Sequence, residues 1–174
     1  MNSELETLRQ QLAALSDREA IRDVLTGIAR GVDRFDRALL AACIHADARL
    51  DMGGDKPISG ADFIAALKPP EHPPRGRMHV VTNSRIELGG DVAASETYIL
   101  SCQEIDRDGA AHTRLRAGRY LDRFERRDRV WKLSERVLVD EWGRLDAICE
   151  AAPTGAHRGR PAPDDLSYRF AERD

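Results

Sequence analysis

A chain of 174 residues, 41% hydrophobic and 33% charged, has the length for one domain with a real core. That balance excludes a disordered chain, and charges interrupt every apolar run before it reaches membrane-spanning length. A formal net charge of −3 argues against nucleic acid as a partner.

The first residues, MNSELETLRQQLAAL, are acidic and amphipathic. They lack the basic start and apolar block of a signal peptide, so a mature cytoplasmic protein is expected. Leu5, Leu8, Leu12 and Leu15 recur at helical spacing, predicting a helix over 4–15. Ser16-Asp17-Arg18-Glu19 reads as a capping box opening a second helix at about 17–34, with Ile21, Val24, Leu25, Ile28 and Val32 on one stripe. A shorter helix is expected at 36–44 and a short strand at 48–52. Ser59-Gly60-Ala61-Asp62 is a second capping box, for a helix over 61–67 that Pro69-Pro70 ends.

From residue 78 the period changes to two, predicting strands at about 78–88, 92–105, 111–126 and 130–142. Gly89-Gly90-Asp91, Asp106-Arg107-Asp108-Gly109 and Arg127-Asp128-Arg129 connect them as hairpins. Helices first and a meander afterwards predict an α+β fold, with helices packed on one face of a bent, mainly antiparallel sheet. Residues 1–150 are expected to form the domain. Residues 151–174, rich in Pro, Gly and charge, are expected to be an extended tail, with Leu166, Tyr168 and Phe170 as anchors on a neighbouring subunit.

Cys43, Cys102 and Cys149 are odd in number and unpatterned, so reduced thiols are expected. His45, His72, His79, His112 and His157 include no pair at metal-motif spacing, and no metal site is expected. The chain has no G-x-S-x-G nucleophile elbow, phosphate-binding Gly-rich loop or dinucleotide fingerprint, so no cofactor is expected either.

Three stretches in order, LSDREAIRDVLTGIARGVDRFD, RMHVVTNSRIEL and GRYLDRFERRDRVWKLSERVLVDEW, resemble the SnoaL-like branch of the nuclear transport factor 2-like superfamily. The resemblance is nearest to scytalone dehydratase, bile-acid dehydratase and hexachlorocyclohexane dehydrochlorinase-like members. It implies a cone of curved antiparallel sheet and helices around one small-molecule pocket. In those enzymes an Asp near the end of the long helix pairs with a His early in the sheet; the matching residues here are Asp33 and His79. Arg136 matches a late-strand Arg of the dehydrochlorinase-like members. A lysine of their first helix has no counterpart, Ile28 standing in its place, which counts against halide elimination more than against proton abstraction.

Read on their own terms, these residues keep other readings open. His79 sits between apolar neighbours and fits a core histidine bonded to backbone; Asp33 fits a solvent-facing acid. A carboxylate at a helix C-terminus opposes the macrodipole, however, and such a local conflict invites a functional account. An imidazole takes and returns a proton near neutral pH, and a carboxylate fixes its tautomer. By period two Val81 and Asn83 share the face of His79. Arg136 has the opposite parity to Trp131 and Leu133, so it reaches their face only if a bulge intervenes. Tyr120, Asn83 and Trp142 are the candidates for substrate contact.

The expected activity is a cofactor-independent lyase or isomerase acting on a hydrophobic, cyclic small molecule in a closed, mostly apolar pocket. A non-catalytic binding protein, or an accessory subunit resembling the β chain of ring-hydroxylating dioxygenases, is the alternative. A homo-oligomer is expected, a trimer before a dimer, with neither nucleic acid nor membrane as partner.

Overall fold

The computed structural model describes residues 2–69, 76–148 and 158–171. Helix α1 runs unbroken through Asn2–Arg34. This corrects the break expected at Ser16. No Gly or Pro interrupts residues 2–26, and a capping-box pattern does not by itself stop a helix. Asp17 instead reaches across the fold, accepting from Trp131 Nε1 at 2.8 Å and Arg126 Nη1 at 2.7 Å. Among the described residues little covers the first half of α1, and Leu5, Leu8, Leu12 and Leu15 are 48–68% exposed.

The end of α1 is set by the backbone at Phe35, whose φ is +55°. Across it the Asp36 N–H bonds to the Gly31 carbonyl at 2.9 Å. That is a Schellman-type stop with a left-handed residue that is not glycine. Asp36 then caps α2 (Arg37–Cys43), accepting from the Leu39 N–H at 2.9 Å. A Cβ on Gly31 would lie 2.7 Å from Leu40 Cδ2, so glycine here lets α2 cross α1 closely. Strand β1 (Ile44–Asp51), β2 (Ile58–Ser59) and α3 (Gly60–Ala66) come next. Ser59 caps α3 as its sequence predicts, Oγ accepting from the Asp62 N–H at 3.0 Å.

Strands β3 (Arg77–Gly89), β4 (Val92–Arg107), β5 (Ala110–Arg127) and β6 (Val130–Ala147) form the meander. Asp108 and Gly109, at φ +55° and +80°, make the left-handed pair that a type I′ hairpin turn requires. The six-stranded sheet has the order β2-β1-β6-β5-β4-β3 and is curved and unclosed. It is mixed, because β1 lies parallel to β6. Its inner face packs on α1: Ile21, Leu25 and Ile28 meet Phe124, Trp131 and Leu133 in one apolar core.

Three bulges decide which face carries which residue. Ser134 stands unpaired between Leu133↔Phe124 and Glu135↔Arg123, so Arg136 rejoins the inner face with Trp131 and Leu133. Glu141 stands unpaired between Asp140↔Gly118 and Trp142↔Ala117 and turns Trp142 to the outer face. On β3, Thr82 and Asn83 lie in the irregularity between Val81↔Ile99 and Ser84↔Thr97. Ser84 takes the inner position and Asn83 is exposed.

Residues 158–171 fold back on the C-terminal end of α1. The Ala162 N–H bonds the Arg34 carbonyl at 2.6 Å, Asp165 pairs with Arg34 at 3.3 Å, and Tyr168 donates to Asp36. Arg30 lies over the Tyr168 ring at 4.6 Å. A short helix, α4 (Leu166–Ala171), ends this return. The tail is thus anchored on its own chain, where the polar end of α1 offers donors and acceptors. His72, Cys149, His157 and the Phe170 side chain lie outside the described residues.

Candidate active site

Asp33 sits in the last turn of α1, held there by the Schellman stop. Its carboxylate grips His79 twice: Oδ2 accepts the backbone N–H at 2.8 Å and Oδ1 lies 2.6 Å from Nδ1. The backbone contact is available because β3 is an edge strand. Both side chains are about nine-tenths buried.

The tautomer is fixed by the neighbours. Arg114 Nη2 donates to Gln103 Oε1 at 3.0 Å, and an arginine can only donate, so the Gln103 amide nitrogen faces the other way. That nitrogen lies 3.3 Å from His79 Nε2. Since an amide NH₂ only donates, His79 Nε2 is the bare acceptor and Nδ1 carries the proton given to Asp33. In this arrangement Nδ1 faces Asp33 and Nε2 faces the Gln103 amide and the cavity.

The cavity has a volume of about 180 Å³ and lies between the inner sheet face, α1 and α3. Its helix side is apolar, with Ile28, Val32, Phe63 and Leu67. Its sheet side is more polar than expected, with Arg77, His79, Gln103, Arg114, Arg116 and Arg136 among the lining. Arg136 and Asp122 are buried together with paired bonds of 2.8 and 2.7 Å, and the guanidinium stacks 3.8 Å over the Tyr120 ring. Burial pushes the Asp122 carboxyl up from its usual range, and the Arg136 guanidinium opposes that. Burial likewise raises Tyr120, reinforced by Asp122 and Asp33 against Arg136 and Arg116. Its phenol stays protonated, and among the described residues no hydrogen bond engages the hydroxyl.

The structure thus brings His79, Asp33, Arg136 and Tyr120 together, and leaves Asn83 and Trp142 outside the cavity. Asn83 falls on the β3 bulge and Trp142 is 52% exposed beyond the β6 bulge. Neither lines the cavity that holds His79; unbulged period two would have put Asn83 on the face of His79. Gln103, Arg77, Arg114, Arg116 and Asp122 escape sequence reasoning. Arg114, Arg116 and Tyr120 do share one parity on β5, a signal readable once Asp108-Gly109 is taken as the turn. His45 is no part of the site; its Nε2 lies 3.2 Å from the Glu125 carbonyl. Among the described residues no three of His, Cys, Asp and Glu gather as a metal cage would require, and no helix is long and apolar enough to cross a membrane.

An α+β cone with a buried His–Asp pair opening on one cavity is the class of protein this geometry defines. The SnoaL-like domain family matches residues 13–137, and the chain belongs to it. A type 2 hexachlorocyclohexane dehydrochlorinase structure is similar at 26% identity and TM-score 0.71, covering 83% of this chain and 99% of that one. The type 3 dehydrochlorinase from Novosphingobium barchaimii is similar at 24% identity and TM-score 0.71, over 83% of this chain and 99% of that one. A candidate scytalone dehydratase from Novosphingobium aromaticivorans shares the fold at 18% identity and TM-score 0.65, over 86% and 95%. No functionally curated protein matches the sequence.

Proposed function

We propose that this chain is a cytoplasmic, cofactor-independent lyase or isomerase that removes a proton from carbon in a small, largely apolar substrate. His79 is the base, taking the proton at Nε2. Asp33 orients the ring and stabilises the imidazolium that forms. Tyr120 and Arg136, on β5 and β6 of the same inner sheet face, are the groups placed to steady a leaving group or a developing oxyanion. The observation that carries this reading is the Asp33–His79 contact together with the network that leaves Nε2 unprotonated toward the cavity. Membership of a family with dehydrochlorinase and dehydratase structural relatives supports the same class of chemistry.

The Gln103 amide covers Nε2 at 3.3 Å, and this favours the second reading, a pocket that binds without reacting. Deuterium wash-in separates the two. Carbon acids of one-ring size are incubated with the protein in D₂O and monitored by NMR. Catalysed exchange that vanishes in His79→Ala establishes the base; binding without exchange in any of them establishes the carrier.

The partner proposed is a second and third copy of the same chain. Val80, Leu100, Ala117 and Trp142 form one cross-strand row on the outer face, flanked by Met78 and, beyond the row of Tyr98 and Arg119, by Leu121. Val80, Leu100, Trp142, Met78 and Leu121 are each at least 37% exposed. A contiguous apolar patch of this kind marks an association surface, and the leucine stripe of α1 adds a second. Light scattering at micromolar concentration tests this: a mass near 19.4 kDa removes the oligomer, and one near twice that value removes only the trimer.

A further inference from the structure

The cavity lining carries arginines, Arg77 and Arg114, that no carboxylate among the described residues pairs with. Arg77, Gln103 and Arg114 form one cross-strand row on the inner face of β3, β4 and β5. The adjacent row is His79, Ser101 and Arg116. The carboxylates around the site are already engaged: Asp33 with His79, Asp122 with Arg136, and Asp140 with Arg116. Among the described residues neither Arg77 nor Arg114 has an ion pair. Arg114 bonds only the neutral Gln103. Arg77 stacks 5.0 Å over the Phe35 ring, and its Nε is buried with no hydrogen-bond partner.

Such an arrangement is unfavourable in an empty cavity. A buried donor without a partner keeps its desolvation cost uncompensated, and native structures hold few of them. Burial, with Arg114 adding to it, lowers the Arg77 pKa from its usual value, against Asp33 and Tyr120. Two guanidinium groups facing one space suit a planar acceptor with two oxygens, since their N–H forks match a carboxylate in spacing and charge. The remainder of the cavity is small and walled by Ile28, Val32, Phe63 and Leu67. About 180 Å³ is below the roughly 300–1,000 Å³ of drug-sized sites and admits one ring rather than a fused set.

We propose that the ligand is a small organic acid, with a ring-sized apolar body against α1 and α3 and a single carboxylate held between Arg77 and Arg114. This deepens the reading above, on which it rests for the cavity being the ligand site. It also links binding to the base. A carboxylate that accepts from Arg114 replaces Gln103 Oε1, and the amide that covers His79 Nε2 is released with it.

The test is isothermal titration of the full chain with benzoate, phenylacetate and cyclohexanecarboxylate, each paired with its neutral primary amide. At least one carboxylate is expected to bind, and its amide to bind roughly tenfold or more weakly. Arg77→Met and Arg114→Met should each weaken the carboxylate by a similar factor. No carboxylate binding at millimolar concentration, or an amide bound as tightly as its acid, overturns the proposal without need of any variant. So does a carboxylate affinity unchanged in both arginine variants. Arginine-dependent binding without proton exchange keeps this inference and sinks the lyase reading. His79-dependent exchange on neutral compounds, indifferent to Arg77, does the reverse.

Discussion

The two ends of the sheet's inner face are made by the same elements and are chemically opposite. At one end Ile21 and Leu25 of α1 meet Phe124 and Leu133, with nothing polar to satisfy. About 18 Å further along the helix, Asp33 meets His79, and between the two Arg136 meets Asp122. The apolar end draws its stability from area removed from water. The polar end draws little, since a buried ion pair scarcely offsets its own desolvation. What it gains is a fixed geometry around a space, and the apolar end supplies the rigidity that makes this tolerable.

The largest contrast should appear in activity. His79→Ala is expected to lower proton exchange by roughly 10²–10⁴-fold while leaving the melting temperature near that of the parent. Asp33→Asn should lose a large part of the rate, through the tautomer it no longer holds. Unchanged exchange in a folded His79→Ala variant would remove the base from the mechanism.

Stability should reverse the contrast. Phe124→Ala is expected to cost about 3–5 kcal/mol by urea unfolding, since Phe124 is wholly buried. Asp122→Ala should cost a comparable amount, about 3–5 kcal/mol, because it leaves a buried guanidinium unpaired. The sharper observation is the double variant Asp122→Leu/Arg136→Met, which should regain most of that loss. A double variant as unstable as Asp122→Ala would mean that the pair itself holds the fold.

A smaller effect concerns the returning tail. Burial would raise the Asp165 carboxyl, but the Ser167 hydroxyl, the backbone N–H groups of Arg160 and Ser167, and Arg34 bring it down to about 2. A depressed native pKa stabilises above the unfolded value, near 3.9, and that gain disappears as pH falls toward about 2. Roughly 2 kcal/mol of tail docking should therefore be lost on acidification. NMR titration of the Arg160 and Ser167 amides checks this; a midpoint near 4 would show that the anchor does not hold.

The smallest effect lies at the exposed tip of the β5–β6 turn. Arg129 is exposed with φ +68°, a conformation unfavourable for a side chain. Arg129→Gly should raise stability by about 1 kcal/mol or less. A lowered melting temperature would show that the side chain makes a contact worth more than the strain.

Much of the architecture was legible because it depends on near neighbours. The stripe Ile21, Val24, Leu25 and Ile28, the Ser59 cap and the hairpin at Asp108-Gly109 are local signals, and each appears in the structure. So does the pairing of Asp33 with His79, which the resemblance of whole stretches carried rather than any spacing rule. The break expected at Ser16 failed for the same local reason, because a cap motif is permissive and nothing there opposed the continuing helix.

What tertiary structure alone decided is the face that each late residue takes. Period two gives alternation but not the place where it slips, and slips depend on cross-strand register, a long-range property. Ser134 brings Arg136 inward onto Asp122; Glu141 sends Trp142 outward to the exposed row. Gln103, Arg114 and Arg77 likewise became a site only when three strands aligned them in one row. The sequence by itself determined the helices, the meander and the Asp–His pair. Register, set by packing across the whole sheet, determined which charges share the cavity with them.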